Sequence, residues 1–417
     1  MSIAIWGMGI SGNSALKFIL STYKGDIFLI NQGDPALWSV DLDLGGRDIK
    51  CFDQSQIPTD LKVDKIILAA GIDPRIPELI PFKDTPKVCN EEYAFLFIDK
   101  PIIAVTGTNG KTTTVTLLAQ ALEAAGKKVF LGGNIGTPLC EMLCDNSEYD
   151  YIVLELSSFQ LELMDKFHAQ VSVILNISKT HMERYDNFND YKQAKLDIVM
   201  NQVKGDLFIT PGDFMSTETL ALKKAIAPVE GYEFNNPALI GAHHQRNFKV
   251  VDDVLDYFGI PSREEIIQNL INNFKGVKYR LEYLGLVNEV KFYNDAKSTN
   301  TEATVSAVTA FDEPLILIMG GKLRDESQEL RKAFESIHNI IKIYAIGDAA
   351  KYIYDNLSDR FEVECLDDLE LVFEKLKDIK CDAIVFSPAF PSFDQYKNYI
   401  ARGEDFENRF KLLYTRE

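Results

Sequence analysis

Short apolar runs punctuate this chain. Each is followed by a turn, then by a segment whose apolar positions recur every three or four residues. Strands buried on both faces read as continuous apolar runs, and amphipathic helices as a 3.6-residue period. The alternation predicts an α/β fold on mostly parallel sheets. It runs three times. Residues 2–6, 26–30 and 65–70 read as strands of a first unit. After Pro101, strands are predicted over 102–106, 129–131, 151–156, 171–177 and 206–210. Near Phe274-Lys275-Gly276 the pattern restarts, with strands at 290–294, 315–319, 341–346 and 383–387. The clearest helices of that third unit are 326–336 and 394–413.

Composition agrees with several cores. The chain has 417 residues, 46% of them hydrophobic and 25% charged, and ~150 residues per domain gives two or three domains. The longest apolar runs, such as 315–319, fall far short of the ~20 residues of a membrane span. Met1 leads directly into a strand, which predicts no signal peptide. The net charge of -18 comes from 44 basic and 62 acidic residues. Such a surface repels nucleic acid and anionic membranes, yet admits a small anion at a local cluster of donors. The six cysteines, at 51, 89, 140, 144, 365 and 381, form no C-x-x-C pair and no zinc spacing with histidine. Reduced thiols and a cytoplasmic location are expected.

The sharpest chemical signal is Ile102-Ile103-Ala104-Val105-Thr106-Gly107-Thr108-Asn109-Gly110-Lys111-Thr112-Thr113. A buried strand runs into a glycine turn and then a helix with Leu117, Leu118, Ala121 and Leu122 on one face, stopping at Gly126. That order aims backbone N–H groups and a helix N-terminus at phosphate oxygens. Lys111 would neutralise phosphate charge and the Thr112 hydroxyl would hold Mg²⁺. Val105 stands where the general phosphate-loop pattern has glycine, so the match is to a variant, G-T-N-G-K-T.

A second glycine turn, Gly7-Met8-Gly9-Ile10-Ser11-Gly12, also sits between strand and helix. The acidic residue that a dinucleotide fingerprint wants after the second strand is missing, because Ile30 is followed by Asn31-Gln32. A nicotinamide cofactor is therefore disfavoured, and a pyrophosphate of another nucleotide is not. Glu155 ends an apolar strand, where a carboxylate is costly unless compensated; Mg²⁺ shared with Thr112 would do so, and the ordinary alternative is a solvated strand-end carboxylate. His181 ends another strand, where a metal or phosphate role competes with a structural one. Lys195, in a helical stretch over 190–201, reads from the residues alone as a solvated surface lysine.

Taken together, several blocks resemble one family. Residues 104–113 look like the ATP loop of the Mur ligases, which join amino acids to the muramyl precursor of peptidoglycan. Folylpolyglutamate synthetases carry a related loop. Gly132-Gly133-Asn134-Ile135-Gly136, Glu155-Leu156-Ser157-Ser158-Phe159-Gln160-Leu161 and His181-Met182-Glu183-Arg184-Tyr185 are similar to the D-glutamate-adding branch. So are Asn294-Asp295-Ala296-Lys297-Ser298-Thr299-Asn300, Ser387-Pro388-Ala389 and Ser392-Phe393-Asp394-Gln395-Tyr396-Lys397-Asn398, the last running on into Arg402-Gly403-Glu404. The blocks span nearly the whole chain in family order.

The resemblance implies three domains: 1–98, Rossmann-like, for the UDP end of the substrate; 99–277, a P-loop ATPase-like domain with a mostly parallel sheet; and 278–417, Rossmann-like, for the incoming amino acid. It implies a cytoplasmic, monomeric ligase taking UDP-N-acetylmuramoyl-L-alanine, D-glutamate and ATP, through an acyl phosphate. Lys111, Glu155, His181 and Lys195 would be catalytic. Gly107, Thr108, Asn109, Gly110, Lys111, Thr112, Thr113, Asn247, Arg280, Asp295 and Lys297 would hold ATP. Gly9, Ile10, Ser11, Gly71, Asn134 and Ser157 would hold the UDP-linked substrate. Thr299, Lys322, Ser392 and Tyr399 would hold D-glutamate, with Arg324 the alternative to Lys322. Two Mg²⁺ sites would draw on Thr112, Glu155, His181 and Lys195, the lysine as a carbamate. Departures from the family pattern include His244 in place of asparagine, Tyr279 in place of histidine and Phe390-Pro391 in place of small residues. The competing readings are a ligase with another acceptor amino acid, a non-catalytic nucleotide-binding relative, and a nicotinamide oxidoreductase resting on residues 7–12 alone.

Overall fold

The computed structural model describes residues 2–38, 47, 49–145, 147–182, 184–241, 243–323, 330–376 and 380–414. The first sheet comprises β1 (Ser2–Trp6), β2 (Asp26–Asn31), β3 (Lys50–Asp53), β4 (Lys65–Leu68) and β5 (Lys87–Val88) in the order β3-β2-β1-β4-β5. All of its pairings are parallel. The second holds β6 (Ile102–Thr106), β7 (Val129–Gly133), β8 (Tyr151–Glu155), β9 (Val171–Ile174), β10 (Leu207–Thr210) and β11 (Leu222–Ala225), ordered β11-β10-β9-β6-β8-β7 and also parallel. The third holds β12 (Glu282–Val287), β13 (Val290–Asn294), β14 (Leu315–Gly320), β15 (Ile340–Ile346), β16 (Glu362–Leu366) and β17 (Ala383–Ala389), ordered β12-β13-β17-β14-β15-β16. There β12 runs antiparallel to β13 as an edge hairpin.

Helices connect the strands as parallel pairing requires. They are α1 (Ile10–Thr22) and α2 (Asn90–Phe95); α3 (Lys111–Ala124), α4 (Leu139–Met142), α5 (Ser158–Leu161) and α6 (Phe188–Leu196); α7 (His243–Tyr257) and α8 (Arg263–Asn273); then α9 (Thr301–Val308), α10 (Leu330–Ala333), α11 (Ala350–Leu357), α12 (Leu369–Lys375) and α13 (Tyr399–Tyr414). Of the helix expected over 326–336, the part seen is α10, and 326–329 lie outside the described residues. The expected 394–413 helix starts later, at Tyr399.

The chain packs as two compact units, residues 1–231 with 245–267, and residues 232–244 with 268–417. In the first unit the strand period of two divides each strand between two cores. Ile3 and Ile5 join Leu29, Ile102 and Leu154 in a core shared by the first two sheets. Ala4 and Trp6 join Phe28, Leu68, Leu79 and Phe82 on the opposite face. In the second unit Leu315, Leu317 and Met319 face one core while Ile316 and Ile318 face the other. Burying both faces at ~1.5–3 kcal/mol per large aliphatic side chain makes these central strands the rigid base of each unit. A parallel sheet also brings its carboxyl ends to one edge, where connecting loops carry ligand-binding groups.

Candidate active site

The phosphate-loop residues grow from the buried end of β6. Thr106 donates its hydroxyl to Leu156 O at 2.8 Å, joining β6 to β8. The next turn is tied to β9 through Asn176. Thr108 N donates to Asn176 O at 2.9 Å, Asn109 N to Asn176 Oδ1 at 2.9 Å, and Asn176 Nδ2 to Asn109 O at 3.0 Å. Gly110 sits at φ 86°, and a Cβ there would press within 3.3 Å of Leu175 Cδ1. Glycine is needed because L side chains avoid this backbone region. Lys111 opens α3 with Nζ folded onto Gly107 O (2.8 Å) and Thr108 O (3.0 Å). Thr113 follows, half-buried, in the first turn.

Glu155, 1% exposed at the end of β8, accepts from Thr112 Oγ1 at 2.7 Å and from Asn134 Nδ2 at 2.8 Å. Asn134 also donates its backbone N–H to Glu155 O, at 2.8 Å. The approach is possible because β7 ends in Gly133, where a Cβ would lie 2.4 Å from that same carbonyl. A buried carboxylate held by two neutral donors is undercompensated. Among the described residues it has no ion pair within 4.0 Å, and no group of three or more His, Cys, Asp and Glu could hold a metal by itself. The oxygen pair of Thr112 and Glu155 fits Mg²⁺, which completes its shell with water and substrate phosphates rather than an all-protein cage.

Lys195 corrects the surface reading that its residue type and helix position suggested. It is 2% exposed, and Nζ donates to Gly107 O at 3.0 Å and Thr106 Oγ1 at 3.3 Å, 5.0 Å from the Tyr191 ring centroid. Burial, then the neighbouring Lys111 charge, push its pKa down to about 7, while Glu155 pulls the other way. Tyr191, Ala194 and Lys195 are the buried residues of α6, at i, i+3 and i+4. That spacing was the readable signal for an inward lysine. Tyr191 OH meets Thr108 Oγ1 at 3.0 Å, so α6 is bound to the phosphate loop. The ring of exposed His181, at φ 58°, lies 6.1 Å from that of Tyr191 and edge-on to Phe159 at 5.0 Å. Buried Asn247, on α7, has an unpartnered Nδ2 and stands with Oδ1 3.7 Å from where a Gly110 Cβ would sit.

Ser157 is engaged as a helix cap. Gln160 N donates to its hydroxyl at 3.2 Å, and Ser157 N donates to Gln160 Oε1 at 2.9 Å. At the first glycine turn, Gly9 caps α1, followed by Ile10, 79% exposed, and by Ser11. A Cβ on Gly12 would fall 2.0 Å from Gly7 O, so glycine lets α1 close on the turn. Asn31 takes the place of the missing acid. Its Oδ1 accepts from Met8 N at 3.3 Å and supports the turn. Gly71 lies in an exposed turn beyond β4. One face of α1 and the 136–138 loop bound a cleft of about 710 Å³.

In the second unit Asp295, the residue after β13, receives Ser298 Oγ at 2.5 Å, Ser387 Oγ at 2.7 Å and Leu281 N at 3.0 Å. Burial raises its carboxyl to about 6 against those hydrogen bonds and the Arg280 charge. Arg280 is exposed between Tyr279 (φ 61°) and Leu281 (φ 46°). Lys297 places Nζ 5.5 Å from the Tyr399 ring, and half-buried Thr299 precedes the Asn300 cap of α9. Ser392 is 2% exposed. Lys322 donates to Asp348 Oδ2 at 2.5 Å, whereas Arg324 lies outside the described residues. His244 is buried beside His243, ring centroids 4.2 Å apart, and burial first and His243 second lower its pKa to about 3.

Sequence reasoning passed over Arg402 as a site residue. It is 1% exposed and donates to Phe390 O (2.9 Å), Ala296 O (3.0 Å) and Gly320 O (3.3 Å). It thereby fixes the three loops that carry Ser392, Lys297 and Lys322. Its signal was a place on the apolar stripe of α13 with Phe406 and Phe410, at i+4 and i+8.

The Mur ligase middle domain family matches residues 105–304. A UDP-N-acetylmuramoylalanine--D-glutamate ligase of Thermoanaerobacter sp. (strain X514) is 32% identical over 97% of this chain and 97% of its own. One from Desulfatibacillum aliphaticivorans is 33% identical over 88% and 86%. Among solved structures, a MurF ligase from Thermotoga maritima in complex with ADP superposes with a TM-score of 0.61 at 15% identity, covering 99% of both chains. That likeness speaks to the fold alone. The chain belongs to the Mur ligase family, in the branch of the UDP-N-acetylmuramoylalanine–D-glutamate ligases.

Proposed function

We propose that this chain joins D-glutamate to UDP-N-acetylmuramoyl-L-alanine at the expense of ATP, a step of peptidoglycan synthesis. The observation that carries the reading is the convergence of Lys111, Thr112, Asn134, Glu155 and Lys195 on one loop. That cluster suits a γ-phosphate attacked by a neighbouring carboxylate. The substrate carboxylate oxygen attacks the γ-phosphorus and ADP leaves, giving an acyl phosphate. The D-glutamate amine then attacks the acyl carbon. The tetrahedral adduct loses phosphate, the nitrogen loses a proton, and the amide remains.

Both steps gather negative charge between anions, so placed cations and donors lower the barrier. Lys111 leaves its loop carbonyls to meet the β- and γ-phosphates, while the N–H groups of residues 110–113, at the start of α3, cradle them. Asn134 orients the attacking carboxylate and Ser157 donates beside it. Bound at Thr112 and Glu155, Mg²⁺ would supply charge neutralisation and polarise the transferred phosphoryl; His181 and carbamylated Lys195 would serve a second ion. Carbamylation needs the neutral amine, which attacks CO₂ and releases a proton, and a lysine lowered to about 7 offers that amine from neutral pH upward. Asn247, Arg280, Asp295 and Lys297 would complete the nucleotide contacts. Thr299, Lys322, Ser392 and Tyr399 would receive D-glutamate. We infer three domains, over 1–98, 99–277 and 278–417, each holding one of the sheets, in a cytoplasmic monomer. Among the described residues no helix is long and apolar enough to cross a membrane.

Phosphate release with ATP, Mg²⁺ and UDP-N-acetylmuramoyl-L-alanine tests the reading as the amino acid is varied. Release that requires D-glutamate, and falls at least ~100-fold in Lys111→Ala, is expected. Release with another amino acid would keep the mechanism and replace the acceptor. ATP binding without release for any acceptor would make the chain a non-catalytic relative.

A further inference from the structure

The cleft beside the first glycine turn contains an interaction that the proposed reaction has not used. Ile10, Asn13, Ser14 and Lys17 recur on α1 at i, i+3, i+4 and i+7, one face of the helix, and all four line the cleft. The opposite wall is Gly136, Thr137, Pro138 and Glu141. Two polar atoms on the α1 side have no partner. Ser14 is 4% exposed with an unmatched Oγ, and Asn13 Oδ1 is likewise unmatched although its amide donates to Met8 O and Gly9 O. Buried polar atoms left unpaired in a roomy cleft call for a hydrogen-bonding ligand. Lys17 Nζ, meanwhile, is paired with Glu141 Oε1 across the cleft, and both side chains are partly exposed, at 44% and 36%.

We propose that Lys17 and Glu141 form an exchangeable latch over this cleft, and that the diphosphate of the nucleotide-sugar substrate displaces Glu141 and takes Lys17 as its counter-charge. The inference rests on the proposed function and adds two residues of substrate recognition to it. Three features support it. The cleft begins at the amino end of α1, where N–H groups and the helix dipole favour an anion. Helical side chains lean toward that end, so Lys17 reaches back along the stripe over Ser14 and Asn13. Half-exposed ion pairs are weak and readily exchanged, whereas a diphosphate offers more than one charge. The unmatched Ser14 hydroxyl then donates to a phosphate or sugar oxygen. Asn13 Oδ1, an acceptor, takes a sugar hydroxyl or amide proton. Glu141, held close to the cleft when released, rejects anions too small or too weakly charged to win the exchange.

The test is calorimetric binding of UDP-N-acetylmuramoyl-L-alanine and of UMP to the full chain, to Lys17→Met, to Glu141→Gln and to the double variant. Lys17→Met is expected to weaken the diphosphate ligand about tenfold, the scale of one charge-assisted contact, and to change UMP much less. Glu141→Gln is expected to tighten the diphosphate ligand several-fold, and Lys17→Met in the same chain should abolish that gain. Lys17→Arg, which keeps the charge, should restore most of the affinity. A Glu141→Gln gain that persists without Lys17 would overturn the latch, since Glu141 would then act as bulk negative charge. Unaltered affinity in Lys17→Met would overturn it as well. A wild-type chain that binds ATP but not the nucleotide sugar would instead remove the proposed substrate, and the latch with it.

Discussion

Asp295 shows how a single carboxyl is tuned by its surroundings. Two serine hydroxyls and an N–H stabilise the anion, yet burial outweighs them and the pKa rises to about 6, from an unfolded value near ~3.9. Between these values the folded state holds the proton more tightly, so stability falls as pH climbs from about 4 to about 6, and the cost is complete above that. Asp295→Asn is therefore expected to raise the melting temperature at pH 7.5 by an amount equivalent to ~3 kcal/mol. The gain should fade toward pH 4, while ligase turnover drops at every pH. Thermal scans of both proteins from pH 4 to 8 read the crossover. A gain independent of pH would mean that the carboxyl does not titrate in this window. Residue type alone did not disclose such environments. Lys111 was legible because its glycines and flanking strand and helix are contiguous. Lys195 offered only its spacing from Tyr191 and Ala194, because the groups that bury it, Thr106 and Gly107, lie almost ninety positions away.

Elements repeat the contrast. The central strands were readable because they are apolar on both faces, as in β6, where every residue is buried. Of the edge strands, only β7 was. β11, Leu-Lys-Lys-Ala, is exposed at both ends, β16 carries two glutamates, and β3 is half-charged; lysines and acids on edges suit solvent and deter strand addition, which erases the apolar run. The later start of α13 has a local cause. Asp394 accepts from Asp348 N at 3.2 Å, and Ser392 O receives Tyr396 N at 2.9 Å, so residues 392–398 form a turn before the helix. Helix contact at the first glycine turn gives a prediction of its own. With only 2.0 Å between a residue-12 Cβ and Gly7 O, Gly12→Ala must push α1 off the turn. A stability loss above ~2 kcal/mol, read from denaturant unfolding, is expected, as for overpacked cores, together with weakened nucleotide-sugar binding. Gly9→Ala, whose Cβ meets nothing within 4 Å, should remain close to wild-type stability.

At the scale of the molecule, the chain carries a net charge of -18 and is expected to take two highly anionic substrates, so binding depends on local donors working against the overall field. Mg²⁺-ATP at one hundred times its dissociation constant should stabilise the fold by ~2.7 kcal/mol, and nicotinamide dinucleotides should not. A melting shift with NADH would return the first glycine turn to a redox cofactor. The placement of tryptophan adds an optical consequence. The chain has two tryptophans. Trp6 is fully buried and edge-on to Phe82 at 5.9 Å, and Trp38 donates its indole N–H to Gly33 O at 3.2 Å. Both belong to the first sheet and its flank, inside the first compact unit. Tryptophan emission during unfolding is therefore blind to the third sheet, while far-ultraviolet dichroism sees all three, so a gap between the two melting curves would measure how independently the second unit comes apart.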